Sequence, residues 1–363
     1  MLRNLLFAAA ATAATACCAD APVVAGSAPA GAVGDAWQRP ALQVRQPERA
    51  VTLSAALAGE RLVAVGERGL VLLSDDGAKS WRQAPSPVSV TLTTVRFADA
   101  RHGVAVGHGG VVLSSTDGGD TWALRTDGRR LAQLAVEDAQ RSGDAAAQKA
   151  AARLLADGPD KPLLDVLVWD ATHWLAVGAY GLAFHTADGG QTWQSWMGRL
   201  PNPRGLHVYS ARRNGARLLL AGEQGLVLRS EDNGASFQPL ATPYKGSWFT
   251  AELPSSSEIV LAGLRGNVWR SMDGGAQWTQ LATPMPAAVT ASALGADGLY
   301  LTNQAGFVLR LQGDALRPLN TQAMAPLTGL VSWSGTTGQQ LLTLGLTGPQ
   351  RMPAHAAAPG APK

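Results

Sequence analysis

The chain has 363 residues, of which 46% are hydrophobic and only 16% charged, and it contains 41 glycines. This composition argues against a protein of long surface helices and favours an all-β fold of many short strands joined by tight turns. The formal net charge of +3 is too small to indicate nucleic acid as a partner without a clustered basic patch.

The N-terminus, residues 1–21, is predicted to be a signal peptide. Arg3 supplies the positive charge, and the apolar stretch that follows is too short to span a bilayer. Ala14-Thr15-Ala16 fits a cleavage site, but with Cys17 it also resembles a lipoprotein signal in which Cys17 carries the lipid. The two cysteines are adjacent, so the folded body contains none. We therefore expect an exported protein, either periplasmic or a membrane-anchored lipoprotein.

Residues 22–36 are rich in Ala, Gly, Pro and Ser, which predicts a flexible linker. The similar composition of residues 353–363 predicts a disordered tail. Between them, residues 37–352 are expected to form one folded domain.

That domain is built from an internal repeat, a G-x-x-G pair between two short apolar runs, which is typical of a β-hairpin. The first members of the pairs are 40–44 residues apart, except for one step of 71 residues. A period near 41 residues matches four strands, the size of a propeller blade. Seven copies therefore predict a seven-bladed β-propeller, with first members at Gly66, Gly107, Gly178, Gly222, Gly263, Asn303 and Gly345.

A second motif, S/T-x-D-x-G-x-x-W/F, follows the hairpin in the first five copies, although the first copy has Ala78 in place of the Gly. Its Asp is expected to accept hydrogen bonds from the backbone of its own turn, and its Gly to adopt the left-handed conformation that closes the turn. This is the Asp-box, and we interpret its carboxylates as structural rather than catalytic. They are Asp76, Asp117, Asp188, Asp232 and Asp273.

The long step contains an insertion at residues 127–162. Two stretches rich in Ala, Leu, Gln and Arg, Arg129 to Arg141 and Asp144 to Ala156, predict a helical hairpin between blades two and three. Connections between blades share a face with the G-x-x-G turns, so the hairpin should lie beside them. The alternating segment Trp37 to Arg45 is expected to close the ring by adding the outer strand of blade seven.

Two groups of residues are candidates for binding a partner. The first group lies in the G-x-x-G turns and consists of Arg68, His108, Tyr180, Glu223 and Arg265. The second is a column of arginines at the ends of consecutive third strands, Arg229, Arg270 and Arg310, which would offer a basic stripe to an acidic protein surface. The alternatives are solvated turns for the first group and salt bridges between blades for the second.

Catalytic motifs are weak by comparison. A sialidase requires a Tyr nucleophile, an acidic partner and three arginines, whereas the chain has four tyrosines, and the strand positions of Tyr209 and Tyr300 are explained by packing. The six histidines show no metal-ligand spacing. No catalytic residue, metal or cofactor is therefore expected.

The hairpins, the boxes and the export signal together resemble the photosystem II assembly/stability factor family, over about Trp37 to Met352. Gly158-Pro-Asp-Lys-Pro-Leu-Leu-Asp165 and Ala176-Val-Gly-Ala-Tyr-Gly181 are similar to its non-photosynthetic bacterial branch. The resemblance implies a non-enzymatic chaperone for membrane-protein subunits, with an arginine-rich surface that Arg229, Arg265, Arg270 and Arg310 would supply.

The sequence thus predicts a non-catalytic scaffold or assembly factor, a monomer that binds a membrane or envelope complex. Its membrane association would come only through a lipid on Cys17. The alternative function is a glycan-binding or sialidase-like glycoside hydrolase propeller.

Overall fold

The computed structural model describes residues 34–335 and 338–354 and arranges their strands in seven antiparallel sheets. Six sheets have four strands in chain order, and the last has three. Buried aliphatic side chains join consecutive sheets, and the last sheet packs on the first, as in a propeller. The expected all-β architecture of seven blades is confirmed. The predicted signal peptide, Cys17, most of the predicted linker and residues 355–363 lie outside the described residues.

The strands of blades one to four are β1 (Thr52–Ala58), β2 (Arg61–Gly66), β3 (Val71–Ser74), β4 (Arg82–Gln83); β5 (Leu92–Phe97), β6 (Gly103–Gly107), β7 (Val112–Ser115), β8 (Ala123–Thr126); β9 (Leu163–Val168), β10 (Trp174–Gly178), β11 (Ala183–Thr186), β12 (Gln194–Ser195); and β13 (Val208–Asn214), β14 (Arg217–Gly222), β15 (Val227–Ser230), β16 (Gln238–Pro239).

Those of blades five to seven are β17 (Trp248–Glu252), β18 (Ile259–Gly263), β19 (Val268–Ser271), β20 (Thr279–Gln280); β21 (Val289–Gly295), β22 (Gly298–Asn303), β23 (Val308–Gln312), β24 (Ala315–Pro318); and β25 (Leu327–Gly335), β26 (Gly338–Gly345), β27 (Gln350–Pro353).

Two α-helices follow blade two: α1 (Gly128–Ser142) and α2 (Ala145–Asp157). Their N-caps are Asp127 and Asp144, whose carboxylates accept hydrogen bonds from the first-turn N–H groups. Leu131 and Leu134 of α1 are buried against blades two and three. Short 3-10 turns occupy Pro47–Arg49, Glu67–Gly69, His108–Gly110, Ala179–Gly181, Met197–Arg199, Glu223–Gly225 and Leu264–Gly266.

The seven first strands contact one another around the ring and line a central channel. The turns between second and third strands lie on one face, which also carries the connections between blades; we call it the tip face. Helix α1 contacts the tip of blade two on this face, where Gly110 lies against Gly128. The Asp-boxes lie on the opposite face, the box face.

Ring closure differs from the expectation. The segment Trp37 to Arg45 forms no strand with blade seven; it runs beside blade one, where the N–H of Ala41 donates to the Ser86 carbonyl over 3.0 Å. The predicted outer strand was therefore wrong. Blade seven closes directly on blade one, and the Thr328 hydroxyl donates to the Thr52 carbonyl over 2.7 Å. Blade seven needs no strand beyond the short β27, because buried side chains, including Val331 and Leu342, join it to blade one.

The boundaries of the folded region also extend past the predicted ones. Asp35, which lies inside the predicted linker, forms a 2.9 Å ion pair with Arg129. At the other end, β27 includes Pro353, and Ala354 is fully buried. Residues predicted as linker and tail at these two points belong to the propeller.

The Asp-box of blade three shows how the carboxylate organises its turn. Asp188 accepts hydrogen bonds from the N–H groups of Gln191 and Thr192 over 3.0 and 2.9 Å, and from the Thr186 hydroxyl over 2.8 Å. The Trp193 indole N–H donates to the Gly190 carbonyl over 3.2 Å. The corresponding backbone hydrogen bond recurs at Asp76, Asp117, Asp232 and Asp273. Each box carboxylate therefore accepts hydrogen bonds from its own turn.

These hydrogen bonds predict a loss of stability in acid. Burial disfavours the charged form of Asp188, but the Thr192 hydroxyl and N–H outweigh it and lower its pKa to about 2. The Ser236 hydroxyl and N–H hold the pKa of Asp232 at about 2 as well. Because the folded state keeps these carboxyls ionised, their contribution is fully present above the unfolded pKa of about 4 and is lost as pH falls through 2. Urea unfolding from pH 5 to 2 should show this decline.

The matched comparison for this pH dependence is Asp232→Asn, which removes one titrating box carboxyl. Its loss of unfolding free energy between pH 4 and 2 should be smaller than that of the unmodified protein. Equal pH profiles for the two proteins would contradict the assignment of the acid sensitivity to the boxes.

Candidate functional site

The predicted tip residues lie on the tip face, one on each of the blades one to five. In the first five tips the middle residue has a left-handed backbone, and three of the predicted residues stand there: Arg68 at φ 54°, Tyr180 at φ 57° and Arg265 at φ 57°. A residue with a Cβ pays about 1 kcal/mol for this conformation, which glycine adopts freely. His108 and Glu223 begin their turns instead. These tips therefore carry side chains although their backbone conformation favours glycine.

Tyr180 and Glu223 meet through His207, a residue of the connection between blades three and four. The Tyr180 and His207 ring centroids are 4.9 Å apart. The Nδ1 of His207 lies 3.3 Å from a Glu223 carboxylate oxygen, which also accepts the His207 backbone N–H over 3.2 Å. The Lys161 ammonium lies 5.6 Å from the Tyr180 ring centroid. Arg68, His108 and Arg265 remain separate from this cluster, each on its own blade.

The rings continue from this cluster into the central channel. Tyr209 stacks on His207 with centroids 6.1 Å apart and planes 17° apart. Phe249 meets the edge of Tyr209 at a centroid distance of 5.3 Å. We call Tyr180, His207, Tyr209 and Phe249 the aromatic arc. It connects the exposed tip of blade three to the channel wall in blades four and five.

Tyr209 and Phe249 reach the channel because their strands contain a β-bulge. In β13, Val208 pairs with Gly222 and Ser210 with Ala221, so Tyr209 is the extra residue. The same irregularity occurs at the second residue of the first strand in every blade. A bulge re-aims the side chain that it contains. We call these seven residues the bulge ring: Leu53, Thr93, Leu164, Tyr209, Phe249, Thr290 and Thr328.

The bulge ring has two chemically different halves. Its three threonines join consecutive blades: Thr93 donates to the Leu163 carbonyl over 2.7 Å, and Thr290 to the Leu327 carbonyl over 2.9 Å. The third, Thr328, makes the bond to blade one described above. These hydroxyls are used within the fold. Blade one contributes Leu53, and blades three to five contribute Leu164, Tyr209 and Phe249. The side of the mouth that is available to a partner is therefore the apolar and aromatic one.

Below the ring, an ionic network crosses the channel. Asp165 accepts hydrogen bonds from Arg96 over 3.1 Å and from Arg212 over 2.7 Å, and Arg212 lies 3.5 Å from Glu252. The Ser292 hydroxyl donates to Glu252 over 2.7 Å. One residue comes from each of blades two to six. The four charged residues alternate in sign, so each charge has a counter-ion beside it, and Ser292 adds a hydroxyl at the end. We call these five residues the channel network.

The ring and the network enclose a cavity of about 170 Å³ at the tip-face end of the channel. Its chemistry favours binding over catalysis. Burial, with the charge of Glu223, raises the pKa of the Tyr209 phenol, whereas a nucleophilic tyrosine must ionise readily. Arg96 and Arg212 both contact Asp165, so they are already neutralised and do not form a free pocket for a substrate carboxylate.

The arginine column lies toward the box face, away from the tips. Arg229 pairs with Glu231 at 3.1 Å, Arg270 with Glu258 at 2.7 Å and Arg310 with Asp297 at 3.2 Å. All three side chains are about one quarter exposed or slightly more. Their charges are matched within the fold, and the structure does not bring them together with the tip residues.

Sequence reasoning missed the bulge ring, and it assigned Tyr209 to ordinary strand packing, which the structure corrects. The signal that could have revealed it is a repeated position: in every blade the ring residue is the second residue of the first strand. That position is apolar or hydroxylated in all seven blades. A search for charged residues passes over it.

Within residues 34–335 and 338–354, no group of three or more His, Cys, Asp or Glu side chains is placed to hold a metal ion. The described helices include none that is long and apolar enough to cross a membrane.

Comparison with known proteins agrees with this fold. The structure of YCF48 from Cyanidioschyzon merolae superimposes with a TM-score of 0.62 at 16% identity, covering 85% of this chain and 97% of that one. The WD40 β-propeller domain of Doa1 gives 0.58 at 10% identity, covering 87% and 95%. A structure described as YCF48 bound to D1 peptide gives 0.42 at 20% identity, covering 50% of this chain and 60% of that one. No curated protein sequence matches the chain.

Residues 153–305 match the family model described as photosynthesis system II assembly factor YCF48. The predicted resemblance to this family is confirmed. The matched segment runs from the end of α2 through blades three to five to the second strand of blade six. It contains the whole aromatic arc and every residue of the channel network except Arg96. The similarity to YCF48 in sequence therefore includes the blades that supply the aromatic side of the mouth.

Proposed function

We propose that this protein is a non-catalytic, exported assembly factor that binds a segment of a membrane-protein or envelope-complex partner at the channel mouth of the tip face. The observation that carries the proposal is the aromatic arc, whose Tyr209 and Phe249 rings line one side of the mouth. The family model that matches describes an assembly factor, which supports a binding role.

The composition of the mouth suits a protein segment. Aromatic side chains with an apolar body and a polar end are the residue types most enriched in energetically dominant positions of interfaces. The cavity of about 170 Å³ is smaller than the roughly 300–1,000 Å³ of typical small-molecule sites. A partner segment would therefore insert a side chain and lie across the arc.

The tip residues Arg68, His108, Tyr180, Glu223 and Arg265 form the surroundings of this mouth in the proposal. Arg229, Arg270 and Arg310 are left as ion-paired supports of the blades. The protein acts as a monomer in the periplasm, either soluble or held by a lipid on Cys17, and needs no cofactor.

The test removes the aromatic side of the mouth. We expect the double variant Tyr209→Ala/Phe249→Ala to recover at least about tenfold less of the partner complex from detergent-solubilised membranes, since loss of two interface aromatics costs about 1 kcal/mol or more each. The tagged full-length protein is the bait, and recovery of its stoichiometric partner is measured by quantitative mass spectrometry.

The matched control is Met272→Ala/Leu294→Ala, which removes two exposed apolar side chains from the box face. This variant should retain the partner, and both variants should keep their melting temperatures within a few degrees of the unmodified protein. Equal recovery by the two double variants would contradict a binding role for the mouth.

The glycan alternative has its own test at the same residues. Hydrolysis of a fluorogenic sialoside that disappears in Tyr209→Phe would establish a sialidase instead, because this change removes only the phenol oxygen. The raised pKa of Tyr209 and the paired arginines lead us to expect no hydrolysis.

A further inference from the structure

The tip face carries a second feature, around the channel mouth. Large apolar side chains stand at three of its tips: Tyr180, Leu264 and Leu346 are 53%, 37% and 53% exposed. They belong to blades three, five and seven, so they are distributed around the ring instead of forming one groove.

The same face has an excess of basic residues. Outside the helical hairpin, whose own charges balance, its tips and connections carry twice as many basic as acidic side chains. The basic ones are Arg39, Arg45, Arg49, Arg68, Arg199, Arg204, Lys245 and Arg265, against Asp35, Glu48, Glu67 and Glu223. None of these eight forms an ion pair with a described residue, whereas the box face pairs Arg61, Arg82, Arg217, Arg229, Arg270 and Arg310 with carboxylates.

The basic and apolar side chains are neighbours. Lys245 lies against the tip of blade four at Gly225, and the adjacent Tyr244 hydroxyl donates to the Leu264 carbonyl over 3.3 Å. Arg265 follows Leu264 directly and is exposed. Leucine or tyrosine beside lysine and arginine is the pairing of a peripheral membrane surface: the apolar groups enter the headgroup layer while the cations meet lipid phosphates.

We infer that the rim of the tip face, formed by Arg68, Lys245 and Arg265 with Tyr180, Leu264 and Leu346, docks on an anionic lipid bilayer. Charge complementarity selects this partner, since a zwitterionic surface would leave the basic excess unmatched. Docking in this orientation turns the channel mouth toward the membrane. The inference does not depend on the proposed function, because lipid binding is measured without a protein partner.

The experiment is co-sedimentation of the full-length protein with vesicles of phosphatidylcholine alone, or of equal parts phosphatidylcholine and phosphatidylglycerol. We expect the mixed vesicles to bind more protein and salt to weaken that binding. The triple variant Arg68→Gln/Lys245→Gln/Arg265→Gln should lower the partition constant by about fivefold for each charge removed, or about a hundredfold in all. These residues are exposed and form no ion pair with a described residue, so the variant should fold normally.

The matched control is Lys79→Gln/Arg101→Gln/Arg213→Gln, which removes the same net charge from exposed positions of the box face. It should leave the partition constant within about twofold. The apolar N-terminal stretch is identical in both variants, so a difference between them belongs to the rim. A second variant, Leu264→Ser/Leu346→Ser, should lower the binding that remains at high salt.

Three results would overturn the inference. Equal losses in the two triple variants would assign the binding to net charge alone. Unchanged binding in both would assign it to the N-terminal stretch. Equal binding to the two vesicle types would remove the electrostatic basis.

Discussion

Asp165→Ala is expected to lower the free energy of unfolding by about 3–5 kcal/mol, the cost of removing one partner from a buried ion pair. The Asp165 carboxylate is 4% exposed and accepts hydrogen bonds from Arg96 and Arg212, and also from the Ala211 N–H over 3.0 Å. Its removal leaves two guanidinium groups of the channel network without their shared counter-ion. Denaturant unfolding at neutral pH measures the effect.

Two comparisons separate charge from volume. Asp165→Asn keeps the shape of the side chain but loses its charge, so it should recover only part of the lost stability. Asp160→Ala removes a carboxylate that is 75% exposed and paired with Lys161, and should change stability by less than about 1 kcal/mol. A loss at Asp165 as small as the loss at Asp160 would show that the channel network does not hold the blades together.

Gly222→Ala should be the other severely destabilising change, with an expected loss of about 2–4 kcal/mol. Gly222 ends β14 opposite Val208, and its backbone is extended, so glycine is needed there for space and not for a left-handed conformation. An added Cβ would come closer than 3.0 Å to the His207 carbonyl oxygen. The start of β13 would have to move, and with it His207 and Tyr209.

Gly198→Ala is the matched control for that change. An added Cβ at Gly198 meets nothing within 4 Å. Its stability should therefore stay within about 0.5 kcal/mol of the unmodified protein. If Gly222→Ala proved equally mild, the close approach of the two strands beside the aromatic arc would not constrain the site.

The two proposals use adjoining parts of one face, and Tyr180 belongs to both. The channel mouth, in blades three to five, is concave and aromatic and suits an inserted protein segment. The rim is basic with isolated apolar tips and suits a planar anionic surface. A protein held by its rim against a bilayer would present the mouth to segments that emerge from that bilayer.

Much of the fold could be predicted because its signals are local. In an Asp-box such as Thr186 to Trp193, the carboxylate, the turn glycine and the indole interact within eight residues, so their spacing in sequence is their geometry. The G-x-x-G pair is similar, since it makes a hairpin between adjacent strands. Repetition of these local units determined the blade count and the resemblance to the assembly factors.

Predictions that required long-range contacts were less successful. The strand assigned to Trp37 to Arg45 had a suitable alternating pattern, but the pattern does not say which sheet it joins, and it runs beside blade one. The arginine column is visible in the sequence as a repeat, but the ion pairs of its members depend on acids such as Glu258 and Asp297 that come from other turns.

The sequence by itself determined a seven-bladed propeller, a structural interpretation of the Asp-boxes and a tip face that carries a helical insertion. Only the tertiary structure decided where the candidate site lies. A bulge adds one residue to a strand and shifts the two-residue alternation that assigns side chains to faces, so the sequence pattern placed Tyr209 in ordinary packing. Ring closure then brings Leu53 and Thr328 to the same mouth, a contact between distant residues that no local pattern encodes.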